Sequence, residues 1–167
     1  MRAKREKTRL LCVSALFAAI IYVFTAWFHI PSHTGYTHVG DAFVYLAGSV
    51  LPAPYAMGAG AIGGMLADLL GGYGMWMPGT GVIKALTALC FTCKTRTILN
   101  RRNFWAIVPS FVLCVGGYYL YEALLTGNYV APLAGVPGYC VQVAASAAAY
   151  TALGRLLDAV KFKEKLL

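Results

Sequence analysis

The sequence predicts an all-α integral membrane protein, a single six-helix bundle formed by residues 1–167. Hydrophobic residues make up 59% of the chain and charged residues only 12%, whereas a soluble domain has about twice that charged fraction. The basic residues behind the net charge of +8 are concentrated in the two tails and one loop, a distribution that indicates membrane topology. An ordinary soluble domain is therefore excluded, and no nucleic-acid partner is expected.

Six apolar segments, separated by breaks that contain proline or glycine, are the predicted helices. The first follows a basic tail, but it exceeds the roughly 7–15 apolar residues of a signal-peptide core, so we interpret it as a retained helix. The second is short for a crossing, which needs about 20 residues, and by length alone it could be re-entrant. The segments are residues 10–30, 40–51, 54–70, 78–93, 104–126 and 136–160.

The distribution of basic residues favours six crossings. If every segment crosses and the N-terminus is inside, both basic tails and the basic loop 94–102 lie inside. The outer loops around 31–39, 71–77 and 127–135 then contain no Lys or Arg. Omitting the second segment would place loop 94–102 outside, against the rule that basic loops stay in the cytoplasm. We therefore expect both termini to be cytoplasmic.

Four ionisable side chains interrupt the apolar segments, and with this topology all four fall in the outer half of the bilayer. They are Asp41, Asp68, Lys84 and Glu122. A charge inside the hydrocarbon costs about 2.5–3.5 kcal/mol even on lenient scales, so such residues indicate a functional site. Lys84 lies roughly 9 Å below the outer surface by helical rise. It either pairs with Asp68 or Glu122 or contacts a ligand directly.

The outer loops and the helix ends beside them are rich in aromatic and hydrogen-bonding side chains. Loop 1 contains His33, Tyr36 and His38, and loop 2 contains Tyr73 and Trp76. Aromatic walls with a few polar groups are typical of a small-molecule site, although an interfacial aromatic belt is the alternative. The candidate substrate-binding residues are His38, Asp41, Asp68, Trp76, Lys84, Tyr118, Glu122, Asn128 and Gln142.

Small residues at four-residue spacing form rows that let membrane helices approach closely. Helix 1 has two such rows, Ser14 with Ala18 and Ala15 with Ala19, which could pack inside the bundle or contact another membrane subunit. The helix 3 row is expected to pack inside the bundle. It consists of Ala56, Gly60 and Gly64.

Several short motifs match cofactor or metal sites as strings, but the surrounding sequence does not support any of them. The glycine pattern at 58–63 matches a dinucleotide fingerprint as a string, but it lies in an apolar segment without a βαβ unit. Residues 79–84 lack the Gly-Lys-Ser/Thr of a phosphate loop. Cys90 and Cys93 have no second ligand pair for zinc, and the histidines of loop 1 are a poor metal set. We expect no metal, no cofactor and no enzymatic activity.

Segments 35–41, 60–73 and 78–85 resemble the substrate-binding S components of energy-coupling-factor (ECF) vitamin transporters. The resemblance is closest to the subgroup for riboflavin and hydroxymethylpyrimidine uptake. The chain departs from the pattern at Gly79, where an aromatic residue is expected, and at Ala85, where glycine is expected.

The resemblance implies a subunit of the bacterial plasma membrane that captures a vitamin or vitamin precursor from outside. It implies association with a membrane coupling subunit and two ATPases, with Ala15 and Ala19 matching the contact row. Segments 40–41, 67–68 and 80–84 match the outer pocket of the family. A neutral pyrimidine or pyridine ring is the expected ligand type if Lys84 is paired. The alternative is a self-sufficient secondary transporter or channel that couples ions through the buried charges.

Overall fold

The computed structural model describes residues 2–31 and 36–166. It is almost entirely helical, which confirms the all-α class. A two-stranded hairpin of β1 (His29–Pro31) and β2 (Tyr36–His38) is the exception in the described residues, and a 3₁₀ turn (Ala131–Gly135) leads into the seventh helix. The helices are α1 (Arg2–Ala26), α2 (Asp41–Val50), α3 (Ala53–Leu70), α4 (Met77–Cys90), α5 (Arg101–Trp105), α6 (Ile107–Thr126), α7 (Val136–Ala159) and α8 (Phe162–Leu166).

Two predicted C-terminal helix ends were wrong, and the first helix begins at Arg2 rather than at residue 10. The first helix was expected to reach residue 30, but it ends at Ala26 because the following residues pair with β2, with His29 opposite His38. The fourth was expected to reach residue 93, but it ends at Cys90, since the Phe91 ring stacks on Tyr45 at 4.8 Å and the backbone there is extended. His33 and the first residue of segment 35–41, both mentioned above, lie outside the described residues.

Among the described residues, three helical stretches are long and apolar enough to cross a membrane, by length and composition: Lys4–Ala26, Arg101–Thr126 and Ala131–Ala159. The surroundings of the second helix, α2, explain why it can be so short. All of its ten residues except Phe43 are buried, because α1, α3, α4 and α7 surround it. Because α2 contacts protein on all sides, it does not need the length of a helix that is exposed to lipid.

Close helix packing around α3 depends on glycines. A Cβ at Gly63 would lie 2.6 Å from the Ala18 carbonyl oxygen of α1, and a Cβ at Gly60 would lie 3.0 Å from the Lys84 carbonyl oxygen of α4. Ala56 is fully buried. The prediction that the small-residue row of helix 3 packs inside the bundle is confirmed.

Helices α2 and α7 run side by side in the same direction. Gln142 bonds Asp41 near the start of α2, and Tyr150 bonds Ser49 near its end, with the same sequence offset of 101 residues in both pairs. The first turn of α2 therefore meets the second turn of α7, near strand β2, which also contacts α7.

Candidate ligand-binding site

A partly open cavity, called here the ligand cavity, lies where the hairpin meets α1, α3, α4, α6 and α7. The centres of water molecules can occupy about 40 Å³ of it, which is room for a few waters. Its lining includes five of the predicted substrate-binding residues: His38, Asp68, Trp76, Tyr118 and Gln142. The other lining residues are Thr25, Tyr36, Tyr73, Thr80 and Tyr139.

Aromatic rings form two groups in the cavity wall. Tyr36 lies 4.8 Å from Tyr73 between ring centroids. Tyr118 stacks on Tyr139 at 5.2 Å and 20°, and Trp76 lies 6.3 Å from Tyr118. Tyr118 is only 7% exposed, so it packs inside the protein and does not belong to an interfacial belt. Such rings offer flat faces for stacking a planar ligand.

Asp68 joins the hairpin to α3. The Tyr36 hydroxyl donates to Asp68 Oδ1 at 2.6 Å; burial, and then the adjacent Asp68 carboxylate, raise the pKa of Tyr36 far above its ordinary value, so it remains a donor. Asp68 Oδ2 forms no hydrogen bond of normal geometry with the described residues, although the Thr80 hydroxyl is near. Leaving a buried polar atom unsatisfied costs about 1–3 kcal/mol, so Oδ2 is a strong potential acceptor.

Thr25 presents a second such oxygen. Its side chain is 1% exposed, and within the described ranges its Oγ1 has no hydrogen-bond partner. A Cβ at Gly40 would lie 2.1 Å from this Oγ1, so only glycine allows the chain after β2 to pass so close to α1. Thr25 and Asp68 thus place two buried, unsatisfied oxygens in the wall of the same cavity.

His38 is held as a neutral donor. Its Nδ1 accepts a 3.1 Å hydrogen bond from the Gly40 backbone amide, which leaves the proton on Nε2. Burial, followed by the positive charge of Lys84, lowers the pKa of His38 to about 3. An uncharged imidazole therefore lines the cavity at physiological pH.

Lys84 forms a buried ion pair with Asp41, their side chains being 1% and 2% exposed. The expected partners, Asp68 and Glu122, were wrong. Gly64 explains the geometry, since a Cβ there would lie 3.0 Å from Lys84 Cγ; the missing side chain leaves room for the lysine to extend between α3 and α4 to α2. Asp41 also lies in the first turn of α2, where the helix dipole stabilises a negative charge.

The ion pair lies behind the cavity wall, because neither member is among the lining residues. Gln142 Nε2 donates to Asp41 Oδ2 at 2.8 Å, and Lys84 Nζ lies 5.5 Å from the centroid of the Tyr118 ring. Asp41 and Lys84 therefore position two side chains that do line the cavity.

Comparison with known families decides the class of protein. The model of the family "ECF-type riboflavin transporter, S component" matches residues 5–159. The chain belongs to this family of ECF S components. No curated protein matches it significantly. The S component is a substrate-binding subunit of a transporter and a multi-pass membrane protein, and this membership does not favour a self-sufficient carrier.

Two further predicted site residues of the S component, besides Asp41 and Lys84, lie away from the cavity lining. Glu122 is buried in α6, and its backbone carbonyl accepts a hydrogen bond from the Thr126 hydroxyl. Asn128 Oδ1 accepts from the backbone amides of Val130 and Ala131 at 2.8 and 3.1 Å, so its side chain stabilises the turn before α7. Depth alone did not determine which way these side chains face.

Sequence reasoning missed Thr25 altogether. A threonine near the outer end of an apolar helix carries no distinctive signal, and its importance depends on the close approach of Gly40, which is a tertiary contact. A tertiary contact also explains why glycine occupies position 79 instead of the expected aromatic residue. A Cβ at Gly79 would lie 2.6 Å from the Tyr121 ring, so an aromatic ring from α6 covers the position where the family pattern places an aromatic side chain.

The two small-residue rows of α1 face different surroundings. Ser14 donates a 2.8 Å hydrogen bond to the Tyr55 carbonyl oxygen, and Ala18 is 7% exposed, so this row packs on α3. Ala15 and Ala19 are exposed on the outside of the S component. The second row is therefore available to another helix.

Proposed function

We propose that this S component captures a small, neutral heteroaromatic vitamin or vitamin precursor in the ligand cavity at the extracellular side, without catalysing a reaction. The observation that carries the proposal is the pair of unsatisfied buried oxygens, Thr25 Oγ1 and Asp68 Oδ2, on residues that line the same cavity as two groups of aromatic rings. The aromatic side chains would stack on the ring of the ligand and fix its orientation. The two oxygens would accept hydrogen bonds from polar substituents of that ring.

The cavity lining disfavours an anionic ligand. Lys84 is neutralised by Asp41, His38 is uncharged, and the Asp68 carboxylate in the lining requires a hydrogen-bond donor on the ligand. A pyrimidine or pyridine fits this set, because an exocyclic amino group could donate to Asp68 and a ring nitrogen could accept from His38 Nε2. The 40 Å³ open to water centres is small for even one ring, so binding requires lining side chains such as Tyr36 to move. Riboflavin, with three fused rings, requires a larger movement.

The proposal includes six crossings with both termini in the cytoplasm and one domain over residues 1–167. Basic residues in the tails and loop 94–102, and their absence from the outer loops, support this topology. The common direction of α2 and α7 also agrees with it, since the second and sixth crossings must both run inward.

The proposed partners are a membrane coupling subunit and two ATPases in a bacterial plasma membrane. The exposed Ala15 and Ala19 row supports a helix contact at α1. The purified chain should bind ligand but should not transport it.

Native mass spectrometry and liposome uptake together test this function. The purified protein should retain a vitamin-sized molecule, and uptake into liposomes should require the coupling module and ATP. Ion-driven uptake by the chain alone would contradict the proposal and support a secondary transporter.

A further inference from the structure

A second groove, called here the arginine groove, lies at the other end of α6 and α7 from the ligand cavity. Two contacts build it. A Cβ at Gly154 would lie 2.8 Å from Leu99 Cγ, so the glycine lets the loop before α5 pack on α7. Asp158 then accepts hydrogen bonds from the backbone amides of Ile98 and Leu99 at 2.7 and 2.9 Å. The loop is thereby fixed, and α5 begins beside the last turns of α7.

Two guanidinium groups in this groove have no partner among the residues that the structure describes. Arg101 and Arg155 both line it and are exposed, and in the described part of the chain neither forms a hydrogen bond or an ion pair. The neighbouring Arg102 differs, since it donates to the Cys90 carbonyl oxygen at 3.0 Å. Asp158 also lines the groove, but both of its oxygens already accept backbone amides. The two arginines outnumber this one carboxylate, so the groove carries a net positive charge.

An exposed apolar side chain lies beside these arginines. Phe104 lines the groove and is 58% exposed. It belongs to Arg101–Thr126, a stretch long and apolar enough to cross a membrane. The positive charge consequently lies at one end of such a stretch, which is where lipid headgroups lie beside a membrane-spanning helix.

We propose that the arginine groove binds the headgroup phosphate of an anionic phospholipid, with the acyl chains lying along Phe104. Arginine suits this ligand because its planar guanidinium bonds phosphate oxygens bidentately. Basic pockets between membrane helices are known to hold such headgroups. A soluble phosphate compound would use the same charges but would gain nothing from the apolar flank. This lipid site is separate from the ligand cavity and does not depend on the proposed ligand.

Native mass spectrometry in detergent, with phosphatidylglycerol or phosphatidylcholine of the same acyl chains, tests this site. The wild type should retain phosphatidylglycerol in preference to phosphatidylcholine. The double variant Arg101→Gln/Arg155→Gln should bind phosphatidylglycerol about 30-fold more weakly, from the usual contribution of two basic residues near an anionic surface. Arg96→Gln, an exposed arginine outside the groove, is the matched control and should bind like the wild type.

Equal phosphatidylglycerol retention by the double variant and the wild type would overturn the proposal. Displacement of the lipid by an equal concentration of inorganic phosphate or glycerol phosphate would overturn it as well, since the groove would then be a soluble-phosphate site. Circular dichroism checks the fold of each variant. If the double variant does not fold, the same comparison with Arg155→Gln alone decides the question.

Discussion

Tyr36 of the hairpin donates a 2.6 Å hydrogen bond to Asp68 of α3. This bond joins the segment between α1 and α2 to a helix of the cavity wall, and both residues line the ligand cavity. A ligand that displaces the Tyr36 ring would break this hydrogen bond and replace it with a hydrogen bond between the ligand and Asp68.

Replacing Tyr36 by Phe should lower the free energy of unfolding by about 1.5–3 kcal/mol, the usual range for a hydrogen bond to a charged group. The measurement is denaturant-induced unfolding in detergent. Tyr73→Phe is the matched control, because it removes a hydroxyl from the ring packed against Tyr36. If both variants lose the same stability, the Tyr36–Asp68 bond has no special role.

Breaking the buried ion pair should be more severe than replacing it. Lys84→Met leaves Asp41 buried and unpaired, and we expect a loss of about 3–5 kcal/mol. The double variant Asp41→Asn/Lys84→Met removes both charges and should recover much of that loss. Thermal denaturation of both single variants and the double variant completes the cycle. If the stability loss of the double variant equals the sum of the losses of the two single variants, the two charges do not interact.

The pH dependence of stability should include a contribution from His38. Its pKa is about 3 in the folded protein and about 6.5 unfolded, so the unfolded state binds more protons as the pH falls below 6.5. Stability should therefore decrease on acidification, by about 2 kcal/mol for this group at pH 5. In His38→Gln the decrease between pH 7 and 5 should be smaller by this amount. An unchanged pH profile would indicate that His38 titrates normally.

The outward small-residue row of α1 should control partner association. Ala15→Trp adds a large ring to an exposed position and should abolish co-purification with a coupling subunit while leaving ligand binding intact. Leu124→Trp, at a 73% exposed position on α6, is the control and should assemble normally. Equal assembly of both variants would remove the α1 row from the interface.

The sequence was sufficient for the class and the approximate helices, because apolar length and the distribution of basic residues report directly on the membrane. It also brought His38, Asp68, Trp76, Tyr118 and Gln142 to attention as outer polar or aromatic residues, and the structure gathers these five around one cavity. The hairpin was not predicted, because β1 continues the apolar run of helix 1 and differs from it only through pairing.

Side-chain direction was the part that sequence could not supply. Depth placed Glu122 at the outer end, but its rotation on α6 depends on packing. The partner of Lys84 depends on the space left by Gly64, and the importance of Thr25 depends on the approach of Gly40. Each of these is a contact between helices or segments that are distant along the chain.

The central claim is that the cavity beneath the hairpin binds the vitamin-like ligand. Isothermal titration of the purified protein with riboflavin, a hydroxymethylpyrimidine and a pyridine carboxamide tests it most directly. At least one of these compounds should bind to the wild type. Trp76→Ala and Asp68→Asn should each weaken the affinity for that compound by at least about tenfold, which corresponds to about 1.4 kcal/mol. Trp105→Ala, a 60% exposed tryptophan at the other end of the bundle, should bind like the wild type. Unchanged affinity in both cavity variants would contradict the account.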